Sequence, residues 1–182
     1  LFLAEQLTAN GDFTEAQGQF ELAYNTASFL QDRSAMELAA GNLGSVTMTR
    51  CHLEAATDWF NTALELAGHT DSGEKSVWLG SLGLALSELG QFEQAISYYR
   101  RAYLEAELIE DALTMSICRG SEGNIRFEQS SFEQALALYK EARTVAAGVQ
   151  DRRREGIWLG NQGVSLARMD QCEEAIELLD KA

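Results

Sequence analysis

The 182-residue sequence contains no proline, two histidines and three cysteines. Without proline nothing removes a backbone donor along the chain, and Ala, Leu, Glu and Gln are abundant, so long helices are favoured over strands. His52 and His69 give Ser-His-Asp or Cys-His arrangements little to draw on. Cys51, Cys118 and Cys172 lie far apart with no CxxC pair, which signals neither a zinc site nor a disulfide framework and fits a reducing cytoplasm. Basic side chains are also scarce: 14 Lys and Arg stand against 28 Asp and Glu, a formal net charge of −14. That balance repels polyanions, which argues against nucleic acid or an anionic membrane as the main ligand and favours a basic partner. The surplus is uneven, with eleven acidic and two basic side chains over residues 1–74. No apolar run reaches the roughly 18 residues that span a bilayer. The opening Leu1-Phe2-Leu3-Ala4-Glu5 lacks both an initiating Met and the basic region of a signal peptide, so the chain reads as a fragment.

What the sequence does contain is a period. Gly41-Asn42-Leu43-Gly44 recurs as Gly80-Ser81-Leu82-Gly83, Gly120-Ser121-Glu122-Gly123 and Gly160-Asn161-Gln162-Gly163, at spacings of 39, 40 and 40. Twelve residues after each second glycine stands an alanine, giving Ala56, Ala95, Ala135 and Ala175, with Ala16 in an earlier unit. Four further on come Phe20, Phe60, Tyr99, Tyr139 and Leu179, and three beyond those Ala23, Ala63, Ala102, Ala142 and Ala182. Offsets of four and seven put all three on one helical face.

Each unit therefore predicts two antiparallel helices. The first helices fall near 1–9, 33–50, 74–89, 111–129 and 152–169, the second near 13–30, 53–67, 92–107, 132–147 and 172–181. Asn10-Gly11-Asp12, Leu89-Gly90-Gln91 and Asp170-Gln171 supply the stops within units. Asp32, Asp71, Asp111 and Asp151 recur between units, where a carboxylate accepts from the free amides of the incoming helix. Two glycines inside a helix cost about 1 kcal/mol each relative to alanine, and close packing is the natural compensation: the second glycine lets the partner helix approach backbone to backbone, with the bulky residue beside it. A single unit cannot bury both apolar faces, so neighbours must stack. The fold class is all-α, an α-solenoid of about four and a half to five tandem helix-turn-helix repeats, bounded near 1–31, 32–70, 71–110, 111–150 and 151–182.

No chemistry stands out. The Gly-x-x-Gly motifs sit inside helices, whereas phosphate-cradling loops need a strand before and a helix after. Glu105/Glu107 and Glu173-Glu174 read as solvated helix charge. Arg152-Arg153-Arg154 is the one basic cluster; it either meets a carboxylate on a partner or serves solubility. Trp59, Trp78 and Trp158 read as packing residues. No catalytic residue, metal ligand or cofactor is assigned, and the chain reads as a non-enzyme.

The pattern resembles the tetratricopeptide repeat: small residues in the first helix, Ala-x3-Phe/Tyr-x2-Ala in the second. Leu-Gly-Ser-Leu-Gly at 79–83 followed by Leu89-Gly90-Gln91-Phe92-Glu93-Gln94-Ala95 is similar to the longer, 40-residue subclass of LGN/Pins-type adaptors and bacterial signalling proteins. The consensus proline is missing throughout, in keeping with longer helices, and Trp78 and Trp158 fall one place before the matching leucines Leu79 and Leu159. The resemblance implies a right-handed α-solenoid whose first helices line a concave face. One inward row is then Asn42, Ser81, Ser121 and Asn161, a second Ser45, Leu84, Asn124 and Val164, and a third Thr49, Glu88, Glu128 and Arg168. The two-carboxylate clamp of Hsp70 and Hsp90 co-chaperones needs lysine beside asparagine, and these rows hold none. Amides and hydroxyls in such rows either solvate a wall or bind a peptide. The implied function is a protein-interaction scaffold that takes a peptide or partner domain; the alternative is a sensor whose curvature changes on binding an effector and controls an attached output domain. Uncapped ends also allow self-association.

Overall fold

A computed structural model describes residues 1–68 and 73–180; His69, Asp71 and Ala182 lie outside the described residues. Among the described residues there are ten helices and no strand: α1 (Phe2–Asn10), α2 (Phe13–Phe29), α3 (Arg33–Thr49), α4 (Leu53–Ala67), α5 (Glu74–Glu88), α6 (Phe92–Leu108), α7 (Ala112–Glu128), α8 (Phe132–Gly148), α9 (Arg152–Arg168) and α10 (Cys172–Leu179). The fold is an all-α array of helical hairpins, as the period requires. No described helix is long and apolar enough to cross a membrane.

The stops follow local chemistry. Asp32, Asp111 and Asp151 accept from the backbone N–H groups of Ala35, Thr114 and Arg154 at 3.0, 3.1 and 3.0 Å, which satisfies one orphan donor of α3, α7 and α9. Each described turn inside a hairpin carries one left-handed residue: Gly11, Cys51, Gly90, Ser130 and Asp170.

The helices form two compact units, Leu1–Gln91 and Phe92–Ala182. In the first, Ala4, Ala16, Phe20, Leu43 and Val46 form a core cluster, and Trp59 meets Tyr24 edge to face at 5.4 Å. In the second, Ala135, Tyr139, Ala142, Ala146 and Trp158 do the same. Alanine at 16, 56, 95 and 135 is fully buried. A fourth buried row, Ala27, Ala67, Ala106 and Ala146, extends the same face by another turn.

The glycines act differently from the backbone-to-backbone expectation. A methyl group at Gly44 would lie 2.6 Å from Phe60 Cε1, and one at Gly123 would lie 2.8 Å from Tyr139 Cε1. The second glycine is thus a seat for the bulky ring of its own hairpin. The first glycine seats a ring from the following repeat: Gly41 receives the Trp78 indole and Gly120 that of Trp158. Each indole stacks on the hairpin's aromatic residue, Phe60 with Trp78 at 6.5 Å and Tyr139 with Trp158 at 6.1 Å. In each unit one pair of repeats locks ring on ring between two glycines.

Candidate functional site

In each unit the first helices lie side by side, since α3 touches α5 and α7 touches α9. Positions 121, 124 and 128 of α7 and 161, 164 and 168 of α9 follow offsets of three and four, so each trio occupies one helical face. In the second unit Asn124, Glu128, Asn161 and Val164 line an open concavity of about 260 Å³, together with Phe127 and Tyr139. Ser121 is half-buried beside them, and the Arg168 guanidinium lies 5.8 Å over the Phe127 ring.

The concavity has a fixed polar floor. The Tyr139 hydroxyl donates to Asn124 Oδ1 at 2.8 Å, and Asn161 Nδ2 donates to the same oxygen at 3.4 Å. A carbonyl oxygen has two lone pairs, so both acceptor positions of Asn124 are occupied and its Nδ2 is the group left to face outward. Asn161 then presents its Oδ1 as an acceptor. Burial, and next the Glu128 charge, push the Tyr139 phenol up to about 12, so it stays a donor across the physiological range. Phe127 supplies an apolar wall and packs edge to face on Phe132 at 5.2 Å.

In the first unit, Asn42 and Ser45 lie on α3, and Ser81 and Leu84 on α5. Ser45 Oγ donates to the Gly41 carbonyl of its own helix at 3.1 Å. Leu84 is exposed, while Asn42 and Ser81 are half-buried.

Beside the second unit's concavity lies a buried polar layer. Where the first unit has Leu43 and Leu82, the second has Glu122 and Gln162, all four buried. Arg100 holds Glu122 at 2.6 Å, Arg119 approaches it at 3.5 Å, and Arg143 Nη1 donates to Gln162 Oε1 at 3.5 Å. Ser116 Oγ accepts from Trp158 Nε1 and donates to the Ala142 carbonyl, both at 2.9 Å. These bonds fix how α7, α8 and α9 meet, and thereby the spacing of the two asparagines. Arg154, from the basic cluster, is tied to Asp151 at 2.5 Å, while Arg152 and Arg153 are exposed.

Comparison with known proteins agrees with this architecture. The tetratricopeptide repeat family model matches residues 35–103. No curated protein matches the sequence. BtubC (BKLC) from P. vanneervenii superposes with a TM-score of 0.88 at 16% identity, over 98% of this chain and 75% of that one. Aspartyl phosphate phosphatase F from Bacillus subtilis gives 0.87 at 17%, over 99% of this chain and 48% of that one. A Rap protein complexed with Competence and Sporulation Factor gives 0.81 at 12%, over 99% and 51%.

Proposed function

We propose that this chain, which belongs to the tetratricopeptide-repeat family, is an interaction scaffold that holds an extended segment of a partner protein on the first-helix face of its second unit and catalyses no reaction. One observation carries the reading: Asn124 is pinned through its oxygen, so two N–H donors on Asn124 and an acceptor on Asn161 stand side by side. A peptide unit offers the complement, one carbonyl and one N–H. Phe127 and Val164 give its side chain an apolar surface, and Glu128 and Arg168 set opposite charges at the rim. The acidic surplus of the first unit favours a basic stretch elsewhere in the same partner.

A pull-down followed by mass spectrometry names the segment, and calorimetry then tests the site. Asn161→Ala and Asn124→Ala should each lose about 0.5–1.5 kcal/mol of affinity, with Glu65→Ala and Glu133→Ala, both exposed on second helices, nearly silent. Affinity equal to the parent in both asparagine variants would move the site off this face.

The likeness to the Rap protein solved with Competence and Sporulation Factor, half of whose chain this one spans, supports a second reading as a sensor that controls an attached output domain. Small-angle scattering of the full-length protein separates the two. Compaction on binding the segment supports the sensor, and an unchanged radius of gyration supports the scaffold.

A further inference from the structure

The first-helix face of the second unit continues beyond the asparagines as an aliphatic band. Leu113 and Ile117 lie one turn apart on α7, and Ile157, at the position of Ile117 one period on, lies on α9. Ile109 and Val149 occupy the turns that lead into these two helices. All five are between 37 and 53% exposed. Scattered exposed apolar residues are ordinary, but five gathered by the repeat register at the start of two neighbouring first helices are of the kind that marks an interaction site. Part of the band recurs in the earlier repeats, where Leu38 and Val77 hold the position of Ile117 and Leu30 that of Ile109, but the positions of Leu113 there hold Ser34 and Gly73. Arg152 and Arg153, exposed at the start of α9, border the band.

We infer that this band receives the part of the partner segment in which leucine- or isoleucine-type side chains are flanked by carboxylates. The inference rests on the reading that this face takes a protein segment, and it names the chemistry of that segment. The aliphatic side chains provide area to bury, and the two arginines select the sign of the neighbouring charge and speed encounter. Seven residues of helix separate Ile117 from Asn124, roughly 10 Å. An extended segment crosses that distance in about three residues. One segment therefore reaches both the amide pair and the band, so the acidic aliphatic stretch lies about three positions from the peptide unit held by the asparagines.

The probe is a fluorescein-labelled synthetic peptide of alternating leucine and glutamate, titrated with the whole chain by anisotropy. Saturable binding is expected, weakened about tenfold or more by Ile117→Ser with Ile157→Ser and about threefold or more by Arg153→Glu. Added salt should weaken it further, and a leucine-lysine peptide, drawn to the acidic surface instead, should bind the isoleucine variants as well as it binds the parent. Asn124→Ala tests the other site. Retained peptide binding in that variant, with loss in the isoleucine variants, supports the band. Loss in Asn124→Ala with none in the isoleucine variants overturns the band while leaving the asparagine site standing. No saturable binding by the parent, or a lysine peptide weakened by the isoleucine variants as much as the glutamate peptide, also overturns the inference. So does capture of phosphatidylserine vesicles, lost in the isoleucine variants, by a chain that ignores the peptide.

Discussion

Alanine placed at two glycines of the same motif should change stability in opposite directions. In a helix interior alanine is favoured over glycine by about 1 kcal/mol. At Gly160 a methyl group meets nothing within 4 Å, so Gly160→Ala should stabilise by up to about 1 kcal/mol. At Gly123 the methyl would lie 2.8 and 2.9 Å from two carbons of the Tyr139 ring. That ring has little room to retreat, because it stacks on Trp158 at 6.1 Å and its hydroxyl is bonded to Asn124. Overpacking of this kind costs about 1–3 kcal/mol. After the helical gain is subtracted, Gly123→Ala should lose up to about 2 kcal/mol, and Gly123→Leu more. Urea unfolding followed by circular dichroism reads both, with the slope checked for constancy. If Gly123→Ala raised the midpoint as much as Gly160→Ala, the ring-on-glycine account would be wrong.

Ser116→Ala should cost about 1–3 kcal/mol in the same assay, because it leaves the buried Trp158 Nε1 without its acceptor. Burial pushes the Cys118 thiol up to about 12, so at pH 8 a thiol reagent should label exposed Cys51 and Cys172 and spare Cys118 until the chain unfolds. Asp151 is held below the ordinary carboxylate value, first by the Arg154 backbone N–H and then by its guanidinium. A lowered folded pKa contributes stability that is present above the unfolded value, near about 4, and is lost as pH falls through the folded one. Asp151→Asn should therefore flatten the acid limb of the stability profile below about pH 4.

The helices were legible because the 39-to-40-residue period repeats every decisive residue, and the three described aspartate caps fell where a carboxylate is needed. The lock between repeats was harder to read. Trp78 and Trp158 are one place off the family's leucines, and nothing in one dimension says that the residue two places before a glycine will cover the glycine of the preceding repeat. Asn124 and Asn161 came from a row, but Tyr139 sits in a packing row with Phe20 and Phe60, so its hydroxyl looked incidental. A phenol in a packing row does signal a partner to be found. Phe127 and the aliphatic row through Ile117 and Ile157 were missed for the opposite reason, since apolar residues at helical spacing read as core by default. Glu122 and Gln162, at the positions of Leu43 and Leu82, marked a buried polar layer whose partners only the packing identifies.

The most direct measurement is the response of the asparagine side-chain amides in an isotope-labelled chain titrated with the captured partner segment. The account predicts that the Nδ2 proton signals of Asn124 and Asn161 shift together and saturate, while those of Asn61, exposed on α4, stay in place. Shifts confined to Asn61 or to other second-helix amides, with Asn124 and Asn161 unmoved at saturation, would contradict it.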